Sequence, residues 1–146
     1  MILELRFNML PPALNEQIDL ARSDWRASAA VKKTWTNKVA NLTQKVDFSF
    51  NDKVWIEYHW HLKTFARDSD NVSAASKYIL DGLVDAGIIR NDNLIIIQSP
   101  VPHYYYRAKS DGVILRLSSA PDFLLENFYK FTQLGIKDMN NNKRQF

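Results

Sequence analysis

The chain has 146 residues, 46% of them hydrophobic and 24% charged, with a formal net charge of +3 and no cysteine. This composition suits one globular domain with a sizeable core, and it excludes a disordered chain, a disulfide scaffold and any thiolate metal site. No apolar run approaches the roughly 18 residues of a membrane span, and the opening MILELRFNMLPP is too short and too charged for a signal peptide, so a cytoplasmic setting is expected.

Residues 2–8 alternate apolar and charged side chains and read as a strand, which Pro11-Pro12 stops. A polar loop is expected through about Arg26. Val31, Trp35, Val39, Leu42 and Val46 recur at helical spacing and predict an amphipathic helix over 28–45. Between 20 and 45 lie Arg22, Arg26, Lys32, Lys33, Lys38 and Lys45 against the single acid Asp24, with Trp25 and Trp35 interleaved. Such a stretch is either a solvated helix face or a phosphate-contacting surface. Arg22, Arg26, Lys32, Lys33 and Arg67 are the candidate DNA contacts.

The segment 54–62 is rich in β-branched and aromatic residues and reads as a strand. His59 and His61 lie two apart on it, but no third His and no Cys is near enough in sequence to complete a zinc site. After RDSDN, a helix is expected over VSAASKYILDGLVDAG, 72–87, ending at Gly87, a natural left-handed C-cap. LIIIQS at 94–99 reads as a buried strand. HYYYR leads to a loop or hairpin around Ser110-Asp111-Gly112, and 113–117 is the last strand. APDFLLENFYKFTQLG suggests a C-terminal helix ending at Gly135. The whole reads as a single α+β domain, 1–146: a small mixed sheet packed by helices, in the order β-α-β-α-β-β plus a C-terminal helix and tail over 119–146.

RDSDN at 67–71 is the most distinctive stretch. On a helical wheel, Val72, Ala75, Ile79, Leu83 and Ala86 form one apolar face, while Asp70, Lys77 and Asp81 share the opposite stripe. If 68–70 is extended, Asp68 and Asp70 point to one side. Two such carboxylates repel each other unless a cation sits between them or one is protonated. Their hard oxygens suit Mg²⁺ or Mn²⁺. Capping explains them equally: Asp70 or Asn71 at a helix N-terminus satisfies free N–H groups. Asp92 lies beyond the helix, in RNDN, and spacing alone does not bring it to Asp68.

The stretch 67–93, RDSDNVSAASKYILDGLVDAGIIRNDN, resembles the signature of the RusA family of Holliday junction resolvases. The shared elements are Asp68-Ser69-Asp70-Asn71, Lys77, Asp81-Gly82-Leu83, Ala86-Gly87 and Asn91-Asp92, together with PPALN at 11–15. Asn91 stands where the family has the first acid of a pair. The resemblance implies a homodimeric endodeoxyribonuclease that uses Mg²⁺, or Mn²⁺ in its place, and no small-molecule cofactor. It would cut four-way junction DNA by paired symmetric nicks, in recombination and repair. The resemblance also implies that Asp68, Asp70 and Asp92 are metal-binding carboxylates and that Lys77 is an essential basic residue. A junction-binding protein of the same fold that does not cut is the competing expectation.

Overall fold

The computed structural model describes residues 2–121, which fall into two compact units: 2–9 with 53–66 and 97–121, and 10–52 with 67–96. The C-terminal helix expected beyond residue 121 lies outside the described residues. The element order is β1 (Ile2–Phe7), α1 (Leu14–Ser23), α2 (Trp25–Thr43), β2 (Trp55–Leu62), α3 (Ser69–Ser73), α4 (Ser76–Asp85), β3 (His103–Arg107) and β4 (Gly112–Ser118). The α+β class is as expected. The order differs, because the supposed loop before Arg26 contains a helix, the helix after 70 is broken in two, and 94–99 is not a strand.

The first unit is a four-stranded mixed sheet in the order β1-β4-β2-β3. β4 runs antiparallel to both β1 and β2, and β2 runs parallel to β3. β3 and β4 are consecutive in sequence yet lie on opposite sides of β2, so of the loop or hairpin expected around Ser110-Asp111-Gly112 the loop is what forms. The connection crosses the end of β2: Ala108 N–H donates to Leu62 O (2.9 Å), and Lys63 N–H donates to Asp111 Oδ1 (2.9 Å). The run 94–99 contributes one isolated parallel bridge, Val54 to Ile97. Its first two apolar residues face water, Leu94 at 85% and Ile95 at 71% exposure.

β2 is interior and buried on both faces, His59 and His61 included. Ile56, Tyr58, Trp60 and Leu62 supply its apolar face, and Glu57, His59 and His61 supply the other. Glu57 is fully buried, a state a carboxylate tolerates only with compensating charge. Arg116 Nη1 lies 3.2 Å and His59 Nε2 3.1 Å from Glu57 Oε1. His59 Nδ1 lies 2.9 Å from the Tyr106 hydroxyl, and the His59 ring stacks on Tyr104 at 5.0 Å. Burial drives the Tyr106 hydroxyl strongly upward, with Tyr104 and Glu57 adding to the shift. On the apolar face His103 stacks on Tyr58 and accepts from the Trp60 indole N–H (3.0 Å), so it is a strand residue with an internal role.

The second unit is helical. Asp24 caps α2 by accepting from Arg26 N–H (2.9 Å). α2 packs on α4 through Val39, which is fully buried beside Gly82. The apolar face read for 72–86 is present: Val72, Ala75, Ile79 and Leu83 are buried. α4 ends as expected at Gly87, whose φ is 73°. Gly87 N–H donates to Val84 O and Ile88 N–H to Leu83 O, both 3.0 Å, a Schellman pair that satisfies the last carbonyls.

Two predictions follow from this packing. A Cβ at Gly82 would lie 2.7 Å from Val39 Cγ2 and 2.9 Å from Val39 Cβ. At an open helical site Gly→Ala gains about 1 kcal/mol; here overpacking costs about 1–3 kcal/mol. Gly82→Ala should therefore lower the denaturant midpoint, and a higher midpoint would contradict the close approach. The second concerns His61, whose pKa burial lowers from 6.5 to about 4, against a backbone hydrogen bond to His59 O that raises it and the charges of His59 and Arg6 that lower it further. The unfolded chain thus takes up this proton first. The stability from neutral His61 is complete above pH of about 6.5 and lost as pH falls toward about 4, at up to about 1.4 kcal/mol per pH unit. Urea titrations across that range should show this slope, and His61→Asn should make it shallower, leaving the part that comes from His103, whose pKa burial also lowers.

Candidate functional site

Asp68 is the N-cap residue of α3, with extended backbone at φ −75° and ψ 136°, yet its side chain makes no cap hydrogen bond. Asp70 sits in the first turn. Because the helix starts at Ser69, the strand-like alternation that would align the two carboxylates does not apply. Both residues are exposed, and among the described residues neither carboxylate forms a hydrogen bond or an ion pair.

Asn71 does not cap its own helix. Its Oδ1 accepts from Asn15 N–H (3.2 Å), in the first turn of α1, whose own N-cap residue, Ala13, has no acceptor to offer. Gln17 adds a second tie: its Nε2 donates to Pro12 O (2.8 Å) and to Ala74 O (3.0 Å). The acid-bearing α3 is thereby joined to α1. Sequence reasoning missed this link, since the signal for it is a helix start with no cap of its own.

The chain turns at Ala74-Ala75 between α3 and α4, with Ala75 N–H donating to Val72 O and Lys77 N–H to Ala74 O. This tighter i to i−3 pattern adds rotation over two residues to the 100° per residue of the regular helix. The second half of the stripe is present: Lys77 Nζ pairs with Asp81 Oδ2 at 3.3 Å, with the lysine mostly exposed.

Asp92 lies in a turn built by its neighbours. Asn91 Oδ1 accepts from Asp92 N–H (2.7 Å) and Asn93 N–H (3.2 Å), and Asn93 Oδ1 accepts from Ile95 N–H (3.1 Å). The Asp92 carboxylate is exposed, without a partner among the described residues.

No three or more His, Cys, Asp or Glu among the described residues are grouped so that they could hold a metal ion. Asp68, Asp70 and Asp92 are therefore not gathered into one cluster. The donor chemistry nevertheless fits Mg²⁺, which is held by one or two carboxylates with water and substrate phosphate more often than by an all-protein cage. Asp68 and Asp70 offer unengaged hard oxygens for such a partial shell.

Arg22, in the last turn of α1, and Arg26, Lys32 and Lys33, in the first half of α2, are exposed, while Arg67 is half-buried just before α3. None of the five forms an ion pair among the described residues. The guanidinium of Arg26 lies 5.6 Å from the Trp25 ring. No helix among the described residues is long and apolar enough to cross a membrane. No protein-family model matches the chain, and no curated protein matches it.

If the Asn71 acceptor holds α1, Asn71→Ala should cost about 1 kcal/mol, as loss of an N-cap does. Asn71→Asp, which keeps the oxygen and suits the helix dipole, should stay close to wild type. Thermal denaturation of the two variants checks this, and equal losses would show that the oxygen is not what matters.

Proposed function

We propose that the chain is a structure-specific endodeoxyribonuclease of the RusA type, acting with Mg²⁺ on four-way DNA junctions. The observation that carries the reading is the RDSDN segment: two exposed carboxylates, free of partners among the described residues, on a helix tied to its neighbour through the following asparagine. The sequence resemblance over 67–93 supplies the junction as substrate. An exposed basic surface in the same unit supports a nucleic-acid partner, and the absence of cysteine accords with a cytoplasmic setting.

In this reading Asp68 and Asp70 would hold the cation, with Asp92 the third carboxylate that the resemblance implies. The bound ion would lower the pKa of the attacking water and offset charge on the scissile phosphate. Lys77, which pairs with Asp81, stabilises charge that develops toward the leaving oxygen. Arg22, Arg26, Lys32, Lys33 and Arg67 hold flanking phosphates, which makes binding fall steeply with salt. A four-way junction has approximate two-fold symmetry. A two-fold dimer would present two equivalent sites to it, giving paired nicks.

The test is cleavage of a synthetic four-way junction beside a linear duplex of the same sequence. Paired nicks in the junction are expected with Mg²⁺ or Mn²⁺, and none in EDTA. Asp70→Asn should bind the junction but cut it about 100-fold or more slowly. Folded protein that shifts the junction without nicking it would replace this reading with a DNA-binding role on the same fold.

A further inference from the structure

Trp25 is the first residue of α2, and 73% of its surface is open to water. The other tryptophan of this helix, Trp35, is buried at 3%. Among the described residues the only ring contact of Trp25 is the Arg26 guanidinium at 5.6 Å. The corner it occupies is defined, because Asp24 caps α2 through Arg26 N–H and Asp24 N–H donates to Leu20 O. An indole held at a helix corner and left in water adds nothing to the core; the face turned away from Arg26 is available to a ligand.

The charges around it specify which ligand. Arg22, in the last turn of α1, and Arg26, Lys32 and Lys33, in the first half of α2, are exposed, and they outnumber the two acids of the same stretch, Asp19 and Asp24, the second of which accepts the Arg26 N–H. A cationic rim around an aromatic face matches a nucleic-acid strand, whose phosphates meet the rim while a base covers the ring. An apolar protein partner would gain nothing from four unpaired cations.

The corner is also tied to the acid pair. Asn15 and Gln17 fasten the first turns of α1 to α3, which carries Asp70, and Arg22 lies seven residues further along the same helix. At 1.5 Å per residue that separation along α1 is about 10 Å.

We infer that Trp25, at the start of α2 in the same unit as the Asp68–Asp70 segment, is a stacking platform for an unpaired or splayed base. A paired duplex has no free base face to offer, and extracting one costs unstacking energy that an already open base does not. The platform would therefore favour branched or single-stranded DNA over continuous duplex. This rests on the nucleic-acid part of the proposed function, and it does not depend on cleavage.

The experiment measures binding of the full chain in EDTA to an oligo-dT strand, a four-way junction and a linear duplex, with tryptophan emission as a second readout. Wild type should bind strand and junction with quenching. Trp25→Ala should weaken both by about 5- to 150-fold, as losing one base–aromatic stack does, with much less quenching and duplex affinity within about 2-fold. Trp25→Phe should keep most of the preference and guards against misfolding. Equal loss on duplex and strand would make Trp25 a general backbone contact and overturn the inference. Unchanged DNA binding with a changed oligomeric state would assign the ring to a second copy of the chain. Junction cutting by a Trp25→Ala variant with wild-type selectivity would sink the platform alone, whereas wild type that binds no DNA would sink the proposed function with it.

Discussion

Helix α1 begins after Ala13, where no side chain can accept a hydrogen bond from the first turn, and Asn71 supplies the acceptor from another helix. α1 has ten residues, none of them buried, so neither length nor an apolar face stabilises it by itself. α3 has only five residues and an N-cap aspartate whose carboxylate makes no cap bond. Each is marginal alone. The Asn15–Asn71 bond, with the Gln17 amide bridging Pro12 and Ala74, joins two weak helices into one element and leaves the acids unengaged. In a segment read as either cap or metal site, it is Asn71 that caps, and it caps α1, while Asp68 and Asp70 make no cap bond.

The sheet meets a different constraint. β2 is interior, and its polar face carries a buried glutamate between an arginine and a histidine. Removing either partner would leave a charge in low dielectric, which costs more than the pair contributes when intact. The tyrosines of β3 stack along the same face, Tyr104 on His59 and Tyr106 on His61, so the aromatic run HYYYR has internal partners. The histidines and tyrosines of these strands are thus explained by packing and charge compensation within the sheet.

What was legible in the chain follows from how local each signal is. β1, β2 and α2 carry their period over a full element, and the apolar face of 72–86 and the glycine stop at 87 come from the same short-range rules. The break at Ala74-Ala75 was not legible, because alanine is the best helix former and nothing local announces a turn there. α1 was hidden by a sequence, LNEQIDLARS, that buries no side chain and borrows its cap from 56 residues away. LIIIQS reads as a buried strand by composition, but Asn91 and Asn93 bend the chain just before it and leave Leu94 and Ile95 in water. The placement of β3 beyond β2 depends on a parallel crossover, which no hairpin signal encodes. For the site, the acids and the basic stretch were visible as residue types, while the ties that position α3 were not.

Charge along α1 connects the two halves of the proposed surface. Its first turn carries Glu16, with Asp19 a turn further on, and its last turn carries Arg22, an order that suits the helix dipole. The same order sets a gradient across the surface proposed for DNA, acidic toward Asp70 and basic toward Arg22 and the first half of α2. A phosphate backbone is drawn to the basic end and repelled at the acidic end. Without a divalent cation, a strand would anchor at the α1–α2 corner and stay away from the carboxylates. Neutralising Asp68 and Asp70 removes that repulsion, so on the proposed reading the cation controls where the strand lies as well as what happens to it. Anchoring and incision then separate physically, the first depending on the cations around Trp25 and the second on the acids of α3.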